Sequence, residues 1–227
     1  MDALIGMEES QAVTKTFRSK GVRTFSCDLE PCSGGKPDWH IQEDIRTVLP
    51  VKGLKFLGLH PIFRYLTNSG VRWLVRNAPA PGFEWSEEFK MFVDKKRFEH
   101  MRDAAYFFKW CLEKVRAVGC GYVENPVMHK YAREIIGEEY TQIIQPWMFG
   151  RMETKKTCLW LCNLPELVGT DNVYHGMMKL DYKDRAKCHY ESPGPDREKK
   201  RSKTLPEIAE AMATQWASTI KGRQWQS

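Results

Sequence analysis

Three short apolar runs, Ala3 to Gly6, Val22 to Cys27 and Leu54 to Leu59, constrain this chain more than any other feature, because polar stretches with a helical period separate them. Each run is too short for a buried helix and reads as a buried strand. Between the first two, Glu8 to Lys20 reads as a helix with Val13 and Phe17 four apart on one face, and Gly21 suits its C-terminal stop. The alternation predicts an α/β fold, a mostly parallel central sheet flanked by helices and joined by right-handed crossovers. Such sheets bind ligands beyond the carboxyl ends of their strands. The polar residues expected there are Glu8, Asp28, Asp44 and His60, and later Glu124 with Asn125.

The remaining chain fits one domain over residues 1–227. Residues 64–93 are aromatic and interrupted by Ala78-Pro79-Ala80-Pro81-Gly82, and they read as a long active-site loop. Lys95 to Val118 predicts an amphipathic helix with Met101, Ala105, Phe108 and Leu112 on one stripe. Further strands are expected at Gly121 to Val123, Tyr140 to Gln145 and Thr157 to Leu161. Residues 168–203 read as irregular and basic, and a last helix over 206–218 opens with Pro206 and carries Ile208, Ala209, Met212 and Trp216.

Composition bounds the classes. No run approaches the roughly 18 apolar residues of a membrane span, and the first ten residues lack the basic start of a secretory signal, so no membrane partner and a cytoplasmic location are expected. Seven scattered cysteines without a Cys-x-x-Cys pair predict reduced thiols and no metal site. The net charge of +6 is compatible with a polyanionic partner.

Several residues suggest chemistry. Asp28 ends the second strand about 20 residues after the first strand–helix turn, where an acid accepts hydrogen bonds from ribose hydroxyls. Asp44 stands where a carboxylate can accept a bond from an adenine amino group. Glu124-Asn125-Pro126 follows a strand and fixes a carboxylate at its end, although an acid there also suits the start of a helix. Arg64, Tyr65, Arg72, Trp73, Arg76 and Trp85 suit stacking on bases and contact with phosphates, or packing back onto the sheet.

Longer stretches carry a family resemblance. They are 65–73 (YLTNSGVRW), 123–131 (VENPVMHKY), 140–147 (YTQIIQPW), 153–161 (ETKKTCLWL) and 192–197 (SPGPDR). Through them the chain, from Leu4 to Trp216, resembles small phage and prophage proteins related to cytosine-5 DNA methyltransferases. The resemblance implies a Rossmann-like S-adenosylmethionine (SAM)-dependent methyltransferase fold without a separate target-recognition domain, acting on cytosine in DNA and releasing S-adenosylhomocysteine, in a bacterial or phage-infected cell. It implies cofactor contacts from Gly6, Glu8, Asp28, Asp44, His60 and Pro61, with the last helix folding back on the cofactor side. Glu124, beside Asn125, would grip the ring nitrogen and amino group of the target cytosine. Arg64, Tyr65, Asn68, Arg72, Trp73, Lys155 and Lys156 would contact nucleic acid.

Two positions depart from that pattern. The turn Gly6-Met7-Glu8-Glu9-Ser10-Gln11 lacks a second glycine, which leaves Glu8 to meet the methionine ammonium group of the cofactor. In His60-Pro61-Ile62-Phe63-Arg64, Phe63 stands where the family places its nucleophilic cysteine, and a phenyl ring cannot attack C6 of cytosine. Three explanations stay open: an inactive variant that binds its ligands, another cysteine such as Cys120 or Cys32, or methylation of an exocyclic amine with Phe63 stacked on the base. A free cytosine nucleotide is the alternative substrate.

Overall fold

The computed structural model describes residues 1–192, 194 and 197–223. Its first half alternates β1 (Ala3–Gly6), α1 (Ala12–Ser19), β2 (Thr24–Asp28), β3 (His40–Gln42), α2 (Ile45–Val48) and β4 (Phe56–Leu59). An insert follows with β5 (Val75–Arg76), β6 (Phe83–Ser86) and β7 (Met91–Asp94), and then α3 (Lys95–Val118) returns to the sheet. Next come β8 (Gly121–Pro126), α4 (Lys130–Ile136), β9 (Gln142–Ile144) and β10 (Thr157–Cys162). Short helices α5 (Tyr174–Met177), α6 (Tyr182–Arg185), α7 (Lys187–Tyr190) and α8 (Arg197–Ser202) precede the long α9 (Pro206–Gly222).

The main sheet has seven strands in the order β3-β2-β1-β4-β8-β10-β9. The pairs β1–β2, β1–β4, β2–β3 and β4–β8 are parallel, whereas β10 is antiparallel to both of its neighbours. The expected α/β class and mostly parallel sheet are thus present. Successive strand residues point to opposite faces, so Leu4, Leu57 and Leu59 join Met101, Phe108 and Leu112 of α3 on one side. On the other side, Ala3, Ile5, Phe56 and Tyr122 meet Val13 and Phe17 of α1 and Met212, Trp216 and Ile220 of α9. Two helical layers therefore cover both faces, and the parallel strands deliver their carboxyl ends to one edge.

Helix α3 has the expected bounds: Asp94 Oδ1 accepts the Arg97 amide at 2.9 Å, and Gly119 closes the end with φ 79°. Helix α1 begins later than its pattern predicts, at Ala12 instead of Glu8. Met7 and Gln11 adopt left-handed φ values of 57° and 56°, and the turn between them folds Glu8 back onto the start of the helix. Its carboxylate accepts the amides of Val13 (2.5 Å) and Thr14 (3.2 Å) and the Thr14 hydroxyl (2.6 Å).

Residues 64–93 are not one long loop. Thr67 forms a bridge with Met128, and β5-β7-β6 make a three-stranded antiparallel sheet whose hairpin turns at Lys90, φ 50°. The aromatic and β-branched residues of Phe83–Ser86 and Met91–Asp94 pair because neither segment can bury enough apolar surface alone. Among the described residues of 168–203 there are four short helices where an irregular segment was expected, and α9 extends four residues beyond the predicted 218. Within the stretch 192–197, Pro193, Pro195 and Asp196 lie outside the described residues. Among the described residues, no helix is long and apolar enough to cross a membrane.

Candidate functional site

The strand order reverses direction between β1 and β4, which places a crevice beyond their carboxyl ends. There the amide of His60 bonds the carbonyl of Gly6 at 3.1 Å, drawing the two strand ends together. Gly6 packs closely: a β-carbon on it would stand 2.6 Å from Leu59 Cδ2 and 2.9 Å from Ile45 Cδ1, so these side-chain ends would have to shift.

Glu124, set within β8 and not at a helix start, stands in the crevice beside His60 and Thr204. Its side chain is 10% exposed, with Oε2 3.3 Å from His60 Nδ1 and 3.4 Å from the Thr204 hydroxyl that donates to it. His60 Nε2 lies 2.7 Å from the hydroxyl of Tyr122, a fully buried side chain. Burial, followed by the charges of Glu124 and Glu8, pushes the Tyr122 phenol well above its ordinary value, so it stays protonated in this contact. The opposite ring nitrogen, Nδ1, lies beside both Glu124 Oε2 (3.3 Å) and the Thr204 hydroxyl (3.4 Å). Burial lowers the proton affinity of His60, and Lys155 adds to the effect against the opposing pull of Glu124. His60 therefore belongs to the Glu124 network and also lines the small cavity.

Asn125 is 1% exposed and donates from Nδ2 to the Pro61 carbonyl at 3.3 Å, pinning the turn that carries Phe63. Phe63 forms part of the wall of two neighbouring cavities. A small one of about 40 Å³ reaches Met7, His60 and Glu124; a larger one of about 360 Å³ reaches Asn68, Lys155, Lys156 and Cys188. Arg201 lines both, its guanidinium 6.0 Å from the centre of the Phe63 ring. The larger cavity is thus aromatic on one wall and cationic on others.

The expected cofactor residues are distributed unevenly. Asp28 ends β2 half-buried; burial, then the charge of Glu9, raises its proton affinity against the Glu30 amide that it accepts at 3.0 Å. Asp44 caps α2 through the Arg46 amide at 2.8 Å and also pairs with the Arg46 guanidinium, which holds its carboxyl below the ordinary value. Glu8 is 4% exposed and turned into α1, and burial lifts its pKa to about 7. The expected contact between Glu8 and a ligand ammonium is corrected by this geometry, since both oxygens face the helix. In the turn without a second glycine, Gln11 takes the left-handed conformation and bonds Ser26 Oγ of β2 (3.2 Å) and the Lys36 carbonyl of the β2–β3 loop (2.9 Å).

Of the expected nucleic-acid contacts, Arg64, Asn68, Arg72, Trp73 and Lys156 are exposed. Tyr65 is packed against α3, stacked on His100 at 5.3 Å with the Arg97 guanidinium 5.3 Å from its ring, so it is no free platform. Cys120 is buried and precedes β8; Cys32 hydrogen-bonds Gln11. The thiol that shares a cavity with Phe63 is Cys188, which sequence reasoning missed together with Tyr122, Arg201 and Thr204. Only Tyr122 had a legible signal, because strand residues two apart share a face and Tyr122 precedes Glu124 by two. Among the described residues no cluster of His, Cys, Asp and Glu is arranged to hold a metal ion. Compared with known proteins, the chain matches no protein-family model and no curated protein.

Proposed function

We propose that this chain is a SAM-dependent methyltransferase-type domain that holds a cytosine of DNA at Glu124, and that with Phe63 in place it binds this base without methylating C5. The observation that carries the reading is Glu124: a carboxylate one-tenth exposed, set by His60 Nδ1 and Thr204, beside an aromatic ring at the crevice where an α/β sheet changes direction. A cytosine presents an amino donor and a ring nitrogen to such a carboxylate, and Phe63 offers a face for the ring. Lys155, Lys156 and Arg201 in the adjoining cavity match phosphate.

The fit to the cofactor is partial. Asp28 supplies a carboxylate at the β2 end for ribose hydroxyls, and Asp44 lies beyond β3. When bound, SAM would supply the electrophilic methyl group. The reversed strand β10 between β8 and β9 departs from the 3-2-1-4-5-6 order of dinucleotide-binding sheets, which weighs against a nicotinamide reading.

The test is mass analysis of DNA and of deoxycytidine monophosphate incubated with labelled SAM. No label is expected on C5 from the wild type, and label is expected from Phe63→Cys. Label on the N4 amine from the wild type would replace this reading with exocyclic-amine transfer. Label confined to the monophosphate would make the free nucleotide the substrate.

A further inference from the structure

Glu9 is 8% exposed, yet its Oε2 accepts no hydrogen bond among the described residues. Its nearest cations are Lys199 Nζ, 3.8 Å from Oε2, and Lys203 Nζ, 3.8 Å from Oε1. Both distances are too long for hydrogen bonds. A buried carboxylate attracted by two ammonium groups but bonded by neither is incompletely satisfied, which is costly. The charge of Glu9 also raises the proton affinity of Asp28 at the end of β2.

The lysines belong to a short segment that lies across the site. Arg201 sits over Phe63, Ser202 lines the small crevice, the Lys203 carbonyl accepts Lys155 Nζ at 3.0 Å, and Thr204 donates to Glu124. Under this cover the crevice measures about 40 Å³. Small-molecule sites run to roughly 300 Å³ or more, so movement of this segment would enlarge the crevice toward that size.

We propose that Glu9 is the group that recognises the amino cation of the cofactor, and that Lys199 and Lys203 occupy it in the closed chain, making α8 a strap that such a ligand lifts. The ligand half of this inference rests on the SAM reading; the clasp half rests on the geometry of Glu9 alone. An α-ammonium group can approach Glu9 to hydrogen-bond distance, which the two lysines do not. Displacing them frees α8 and opens the crevice beside Glu124, so cofactor entry and access to the base site are coupled.

Titration calorimetry with SAM, S-adenosylhomocysteine and methylthioadenosine, which lacks the amino-acid moiety, tests the ligand half. Glu9→Gln is expected to weaken the first two about 10-fold or more, the scale of a lost charge-assisted hydrogen bond, and to leave methylthioadenosine unchanged. A Lys199→Ala, Lys203→Ala protein should bind the first two more tightly. Hydrogen exchange of the ligand-free protein tests the clasp: amides of residues 197–203 should exchange faster in Glu9→Gln than in the wild type. Wild-type protein that binds neither SAM nor S-adenosylhomocysteine would overturn the cofactor reading and the ligand half with it. Binding by the wild type that Glu9→Gln leaves intact would overturn the role of Glu9 alone, and unchanged exchange in α8 would overturn the strap.

Discussion

Tyr122 places its hydroxyl 2.7 Å from His60 Nε2, inside the core, while the opposite nitrogen of the same ring faces Glu124. The phenol is thus the support on which the orientation of His60 depends. Tyr122→Phe keeps the ring that packs between Phe56 and Trp216 but leaves a buried imidazole nitrogen without its hydrogen-bond partner. A loss of about 1–3 kcal/mol in unfolding free energy is expected from urea titration. A change below a few tenths would mean that the bond does not hold His60.

Glu8 and His60 should give stability opposite pH slopes. Burial raises Glu8 from 4.5 to about 7, so the folded chain holds a proton that the unfolded chain releases. The stability from Glu8 is full below about pH 4.5 and is lost as pH rises toward 7. At about 1.4 kcal/mol per pKa unit, the change amounts to roughly 3 kcal/mol. His60, with its proton affinity lowered, works the other way: its contribution is full above the unfolded value near 6.5 and falls as pH drops. The difference between wild type and Glu8→Gln isolates the first slope. Denaturant midpoints measured from pH 4 to pH 8 should show the variant gaining on the wild type as pH rises.

Gly121 tests the joint between the two halves of the sheet. It has φ 151°, and a β-carbon on it would stand 1.9 Å from the Leu57 carbonyl oxygen, inside the β4–β8 pairing. Nothing flexible is available to yield, so Gly121→Ala must force these central strands away from each other. A loss above about 4 kcal/mol is expected, in the range where one substitution disables a domain, read as failure to give a cooperative thermal transition.

The sheet and the long helices were legible because their signals are local: apolar runs fix β1, β2 and β4, and a capped, periodic stretch fixes α3. Helix α1 was misread at its start because Glu8 looks like a first-turn acid, while the left-handed turns at Met7 and Gln11 leave no mark in residue type. The site was half legible. Glu124 stood at a strand end, Phe63 was singled out through the family resemblance, and Tyr122 was reachable by strand period. Arg201, Thr204 and Cys188 come to the crevice from segments distant in sequence, through a fold-back of short helices that no periodicity announces.

The arginine and tryptophan beside the insert should matter to binding and not to folding. Trp73 is 51% exposed, with the Arg72 guanidinium 5.0 Å from its ring. Neither side chain fills the core, so Trp73→Ala and Arg72→Ala should shift stability by less than about 0.5 kcal/mol. If the face contacts DNA, Trp73→Ala should weaken binding by about 1–3 kcal/mol through lost stacking, and Arg72→Ala should flatten the salt dependence by about one phosphate contact. Fluorescence anisotropy with a labelled oligonucleotide at several salt concentrations separates the two effects.

Thiol reactivity offers a direct view of the larger cavity. Burial pushes Cys27, Cys120 and Cys158 up to about 11 and Cys111 further, so these four hold their protons and lie shielded at pH 8. Cys32, Cys162 and Cys188 are partly exposed, burial also raises Cys162, and Cys32 donates to Gln11. Iodoacetamide should therefore modify Cys188 and Cys32 first in the native protein, because only an accessible thiolate attacks. Cys188 shares its cavity with Phe63 and Lys155, whereas Cys32 lies on the β2–β3 loop. Deoxycytidine monophosphate seated against Phe63 should slow modification of Cys188 and leave Cys32 unchanged, as read by peptide mass analysis. Equal rates at Cys188 with and without the nucleotide, at concentrations where calorimetry shows binding, would place the base elsewhere on the protein.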